Sequence, residues 1–191
     1  MAVEDQVETT HDVVDLLLGQ HQQIRDLFIE VQSTAGAGRR DAFARLVRLL
    51  AVHETAEEEV VHPLARTAIA GGDGVVDDRL AEEREAKEVL SRLEELDPDS
   101  EEFGSLLDTL RMSVLEHAHH EEVYEFRYLR QHYDADRLRT LATALRAAEK
   151  TAPTHPHPGA ETATENLVAG PVLAVFDRAR DTLRKAMSDK E

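Results

Sequence analysis

Apolar residues recur at steps of three and four through most of this chain, and nowhere do they alternate at a step of two. Residues three or four apart share one face of an α-helix, whereas a half-buried strand needs alternation. The rhythm therefore predicts an all-α protein. Val14, Leu17, Ile24, Phe28 and Val31 form a stripe on a first helix over about 12–32. A second starts near Asp41, after the breaker Thr34-Ala35-Gly36-Ala37-Gly38, with Phe43, Leu46, Leu50, Val60 and Leu64 as its stripe. Pro63 is placed to bend its end, and Gly71-Gly72-Asp73-Gly74 to close it. Val76, Leu80, Ala86, Leu90 and Leu93 mark a third helix over about 75–96. Asp97-Pro98-Asp99-Ser100 is a turn ending in a good N-cap. A fourth helix over about 101–132 carries Phe103, Leu107, Leu110, Val114, Tyr124 and Tyr128. Four helices with short connections favour an up-down-up-down four-helix bundle, spanning 10–132.

Additional C-terminal helices are expected beyond it. Residues 133–150 read as a further helix bearing Leu138, Leu141 and Leu145, and 151–170, rich in Pro, Thr, His and Gly, as an irregular strap. Pro171 then opens an amphipathic helix over 171–189, through Val172, Val175, Phe176, Ala179 and Leu183. This last helix is expected to dock on the bundle, or to serve a protein partner or a second copy of the chain.

The gaps in the four bundle stripes are filled by groups able to bind metal. They are His21 on the first helix, His53 and Glu57 on the second, Glu83 on the third, and His117 and Glu121 on the fourth. His53-Glu54-Thr55-Ala56-Glu57 and His117-Ala118-His119-His120-Glu121 are two copies of one device, a histidine with a glutamate one turn on along the same face. Burying Glu57, Glu83 and Glu121 unpaired would be very costly, and few cations lie on the stripes to neutralise them. A bound dication, or two, resolves that cost. Imidazole suits iron, zinc, copper and nickel, and a carboxylate can span two ions.

Competing frames fit less well. His53-Glu54-x-x-Glu57 lacks the second histidine of a zinc-protease helix. Ferritin-like Glu-x-x-His spacings exist at Glu59/His62 and Glu116/His119, but these four lie off the stripes and are expected to face solvent. His120 is expected to do the same. Tyr124 is expected to pack in the core, and His155-Pro156-His157-Pro158 to be exposed linker.

Composition narrows the function classes. A formal net charge of -17 and a pI near 4.9 leave no basic patch for nucleic acid or an anionic membrane. The absence of cysteine excludes disulfides, thiol redox chemistry and thiolate-held metal clusters. The acidic N-terminus does not read as a signal peptide, and the run Val13–Leu18, broken by Asp15, is too short to span a bilayer. A cytoplasmic protein is the expectation.

Four segments together resemble the hemerythrin-like, or HHE cation-binding, family. They are Leu16-Leu17-Leu18-Gly19-Gln20-His21, Val52-His53-Glu54-Thr55-Ala56-Glu57-Glu58-Glu59, Leu80-Ala81-Glu82-Glu83, and His117-Ala118-His119-His120-Glu121-Glu122. The resemblance covers about residues 10–132. It implies a non-heme di-iron centre with His21, His53 and His117 as terminal ligands, Glu57 and Glu121 as bridges, and Glu54 as a further ligand. Glu83 stands where the family usually has another histidine. A carboxylate there would favour the ferric state, which argues against reversible oxygen carriage. It points instead to a redox or peroxide-reactive centre, or one tolerant of manganese or zinc. The exogenous ligand implied is peroxide, dioxygen or nitric oxide, with a catalase-like reaction as the leading enzymatic expectation. An iron buffer without turnover and a metal-free interaction module are the rival expectations.

Overall fold

A computed structural model describes residues 11–155; the expected helix at 171–189 and most of the strap lie outside them. The described residues are all-helical, with no strand. α1 runs Val13–Ser33, α2 Gly36–Val60, α3 His62–Ala68 and α4 Gly72–Glu94. α5 (Glu101–Glu121) continues through a π turn, Glu122–Phe126, into α6 (Arg127–His132), and α7 is Ala135–Thr151.

Side-chain pairs fix the relative directions of the four long rods. Between α1 and α2, Gln20 meets His53 while Glu30 meets Arg45. Between α2–α3 and α4, Glu58 meets Lys87 while His62 meets Glu83. Between α1 and the α5 rod, Arg25 meets Glu122 while Gln32 meets Asp108. In each pair of rods one number rises as the other falls, so the neighbours are antiparallel and the bundle is up-down-up-down.

Local chemistry starts and stops the helices. Asp12 accepts from Asp15 N–H at 2.8 Å and Asp15 returns the bond, a reciprocal cap on α1. Ser100 Oγ accepts from Phe103 N–H at 3.1 Å at the start of α5. The breaker before α2 is shorter than the sequence suggests, because only Gly36, at φ +58°, needs the left-handed region. Its N–H donates to the Asp99 carboxylate and Arg39 donates to Thr34 and Pro98 carbonyls, tying the two loops at that end together. At the other end Gly71 turns at φ +77°, and a Cβ on Gly72 would lie 2.5 Å from the Ala65 carbonyl oxygen.

Two irregularities depart from the expected stripes. α2 stops at Val60 and the chain restarts at His62, with Pro63 in the first turn of α3, where its missing N–H costs nothing. His62, one turn on from the buried Glu58, faces α4: it is 3% exposed rather than solvated, and Glu59 is half-buried. The π turn after Glu121 inserts a residue into the fourth rod's register. Glu125, Phe126 and Leu129 therefore face the interior, while Tyr124 (51%) and Tyr128 (36%) face solvent instead of packing in the core. Glu116 and His119 are exposed.

Most of the buried apolar residues gather in two layers, with a small third cluster of Ala65, Ile69 and Val76. Ile24, Phe28, Leu46, Leu50, Leu90, Leu93, Phe103 and Leu110 form one. Val14, Leu17, Val60, Leu64, Phe126 and Leu129 form the other, together with Leu138, Leu141 and Leu145 of α7. Each fully buried leucine contributes about 1.5–3 kcal/mol. α7 packs on α1 and α2, so from His53 to Glu58 every residue of α2 is buried. Between the two layers lies a polar one. No helix among the described residues is long and apolar enough to cross a membrane.

Candidate metal centre

The polar layer holds His21, His53, Glu54, Glu57, Glu83, His117 and Glu121, all buried. They converge as two groups, His21/His53/Glu57/Glu121 and Glu54/Glu83/His117, with one ligand-capable atom from each member lying within 4.8 Å of the others in its group. First-row ions bind such atoms at about 2.0–2.2 Å, so trans ligands lie about 4.2 Å apart; each group is close to that size. The one-turn spacing does its work here: His53 Nε2 is 3.3 Å from Glu57 Oε2, and His117 Nε2 is 3.3 Å from Glu121 Oε1. Glu121 turns its other oxygen to His21 Nε2, also at 3.3 Å. One carboxylate thus faces both groups. Glu54, a third of a turn around α2 from His53, reaches the second group, 3.7 Å from His117 Nε2.

The interior atoms are left without hydrogen bonds. His21 Nε2, His117 Nε2, Glu54 Oε2, Glu83 Oε2 and both oxygens of Glu57 and of Glu121 are buried and unpartnered. Native interiors leave few such atoms, so this density at one spot marks a place for something cationic. Four carboxylates and three neutral imidazoles would be balanced by two divalent ions. The residues fit a pair of metal ions.

The electrostatics of the bare cluster carry the same mark. Burial, and then the nearby Glu121 and Glu54, push the Glu57 carboxyl well above its usual range. Burial, then Glu83, raises Glu54 to about 7. Burial opposes charging of His117, but Glu121 and Glu54 outweigh it and hold its pKa well above normal. Burial and the neighbouring His21 bring His53 down to about 3, so its ring is neutral, the form that binds metal. Protons gather where cations would bind.

Each histidine is oriented from outside by its other nitrogen. His21 Nδ1 donates to Glu122 Oε1 at 2.9 Å, and Arg25 holds the same oxygen. His53 Nδ1 donates to Gln20 Oε1 at 2.7 Å, while the Gln20 amide N–H₂ donates to Glu149 of α7. His117 Nδ1 donates to Glu82 Oε2 at 2.9 Å. With Nδ1 donating outward, each Nε2 is the nitrogen that would face a bound ion. Phe126 stacks on the His21 ring at 5.4 Å.

The periodic pattern missed these outer residues, and also His62, Glu125 and Lys87. A step of four from Glu121 reaches Glu125; aromatic residues at steps of three and seven hid it. His62 follows Glu54 and Glu58 at steps of four, but that series is charged and so gave no apolar stripe. Lys87 is buried, 2.5 Å from Glu58 and 3.7 Å from Glu83, a cation on a stripe that seemed to have few. His120 hydrogen-bonds Glu82 at 3.2 Å, and His155 is exposed beside Glu94.

The family model for the Hemerythrin HHE cation binding domain matches residues 12–129. An uncharacterised hemerythrin-like protein of Schizosaccharomyces pombe is 26% identical over 179 residues, covering 91% of this chain and 87% of its own length. A DNA nickase of Nostoc sp. is 26% identical over 139 residues, 72% of this chain; the match spans only 39% of the nickase. The crystal structure of a hemerythrin HHE cation binding domain-containing protein from Mycobacterium kansasii superposes with a TM-score of 0.63 at 15% identity, covering 92% of this chain and 99% of the other. That last likeness is one of fold.

Proposed function

We propose, since this chain belongs to the Hemerythrin HHE cation-binding family, that it holds a non-heme di-iron centre that reacts with or senses peroxide, dioxygen or nitric oxide. One observation carries the reading: unpartnered Nε2 and carboxylate oxygens converge in two groups, with Glu121 facing both. The ligands would be His21, His53, Glu57 and Glu121 on one side and Glu54, Glu83 and His117 on the other, with Glu57 and Glu121 shared. When bound, two irons would supply redox equivalents and an open position for a small ligand.

The chain's own residues set what that ligand can be. Beside His21, His53, Glu54 and His117 lies a cavity of about 10 Å³ walled by Ile24, Val114, Leu115 and Ala118. Beside Glu54, Glu83 and Lys87 lies another of about 20 Å³, walled by Leu50, Leu90, Leu110 and Val114. Spaces of this size admit roughly one water-sized molecule. The apolar layers above and below exclude bulk water, and the outer hydrogen bonds hold the imidazoles in place. The carboxylate-rich half favours oxidised or hard ions, which supports peroxide decomposition over oxygen carriage and leaves room for manganese. The charge of -17 supports no nucleic-acid role for this chain, whatever its likeness to a nickase.

Metal content and the optical spectrum of protein purified without a histidine tag test the centre. About two irons per chain is the expected result; protein free of metal would leave a helical interaction module. Oxygen release from added peroxide tests turnover. A loaded protein that releases none is an iron buffer.

A further inference from the structure

His62 lies outside the two ligand groups, yet it is buried and both of its ring nitrogens face carboxylates. Nε2 is 2.7 Å from Glu83 Oε1, and Nδ1 is 3.3 Å from Glu125 Oε2. The other oxygen of Glu83 has no hydrogen bond and Lys87 Nζ stands 3.7 Å from it. Helical register on one side and a π turn on the other create this contact. His62 follows the buried Glu54 and Glu58 at steps of four, on the face turned to α4, and the π turn keeps Glu125 inside and Tyr124 outside. π turns are rare and concentrate at functional sites. Here the π turn carries Glu125, which meets the buried imidazole of His62.

We propose that His62 is a positioning residue that fixes Glu83 as a one-oxygen ligand of the carboxylate-rich half, with Glu125 locking the His62 ring. A free glutamate side chain has three torsions and can present both oxygens to a metal or swing away. Donation of Nε2–H to Oε1 occupies that oxygen and directs Oε2 inward. The ring is held against turning because its far nitrogen meets Glu125 and the side chain is buried. Outer hydrogen bonds of this kind are worth about 10–100-fold in metal affinity. This proposal rests on the metal-centre reading above.

Stepwise binding of Mn(II) and of anaerobic Fe(II) to the full chain, followed by competition with a chelator, tests it. His62→Leu should weaken the less tightly held ion by about 10–100-fold and leave the other near wild type, with helix content unchanged by circular dichroism. His62→Gln, whose amide can still donate to Glu83, should stay close to wild type. Glu125→Gln, a mild change that leaves His62 in place, should weaken the same ion by less. In a Glu83→His background the carboxylate is gone, so adding His62→Leu should cost nothing further, a non-additivity that mere loss of packing would not produce. A His62→Leu or Glu125→Gln protein that binds both ions like wild type overturns the proposal, as does additive loss in the double variant. Should His62→Leu fail to fold, the Glu125→Gln and His62→Gln measurements decide it. A wild type that binds no metal sinks the centre itself, a different result from two ions bound indifferently to His62.

Discussion

The two halves of the polar layer differ in how they are built. The half at His21, His53, Glu57 and Glu121 has two imidazoles, and every member sits on a helical stripe. The half at Glu54, Glu83 and His117 has a single imidazole, and basic groups buried beside it, His62 and Lys87, face its Glu83 carboxylate. Both halves take their side chains from regular helix, and the carboxylate-rich half adds buried counter-charges. The difference teaches that a charged ligand in a dry core requires partners around it, whereas a neutral imidazole needs only one hydrogen bond on its far side.

The largest expected effect comes from removing what the halves share. Glu121→Ala should lose both ions, by at least about a hundredfold in affinity, because a lost ligand costs more than a lost outer partner. Metal analysis after dialysis reads this, and one retained ion would show that the halves are independent.

Next come the terminal ligands. His53→Ala should empty chiefly the nitrogen-rich half and His117→Ala chiefly the other, each leaving at most one ion per chain. If both variants keep full metal, the assignment of the centre fails.

Glu83→His should make the halves alike. Replacing an anionic ligand by a neutral one removes charge from the oxidised centre, so its reduction potential should rise. Glu83→Ala should instead lower occupancy of that half. Reductive titration distinguishes them, and identical potentials in wild type and Glu83→His would remove Glu83 from the ligand set.

The pH dependence of the metal-free protein tests the counter-charges. Burial lowers the pKa of His62, but Glu125 and Glu83 outweigh it and raise it to about 10. His21 and His117 are raised too, burial again being outweighed, by Glu121 in both cases. A histidine whose pKa is raised by folding stabilises fully below about 6.5, its unfolded value, and that stability is lost as pH rises through the folded value. Burial raises Glu54 and Glu59 to about 7, so their contributions also disappear by that pH. Thermal melts should therefore show the metal-free protein losing stability from about pH 6.5 to 10. The metal-loaded protein should change less, since ions replace the protons. A metal-free melting temperature that climbs over this range would contradict the buried pairs.

The smallest effect is expected at an exposed histidine on the same rod. His119→Ala should leave metal content and melting temperature at wild-type values, and a loss like that of His117→Ala would put the rod in another register.

Legibility in the sequence followed regularity. The stripes of α1 and α5 gave Leu17, His21, Ile24, Phe28, Val114, His117 and Glu121 their inward faces, because a 3.6-residue period turns spacing directly into direction. Tyr124 and Tyr128 went astray where one inserted residue shifted that period, and His62 because the series it belongs to, Glu54 and Glu58, is charged rather than apolar. Gln20, Glu82 and Glu122 were hidden for another reason. Each is an ordinary polar neighbour of a ligand, and only the approach of another helix makes it a partner.

The sequence by itself determined the helices, the bundle and the six polar side chains that interrupt its apolar stripes, since local periodicity and burial cost act within each helix. Tertiary structure alone decided which of those side chains meet, how they divide into two halves, and which outer residues hold them. Those outcomes depend on the rotation and offset of whole rods, and on a π turn whose position no periodic pattern encodes. They depend also on α7, which seals the outer face of α2 and reaches the centre through Glu149 and Gln20.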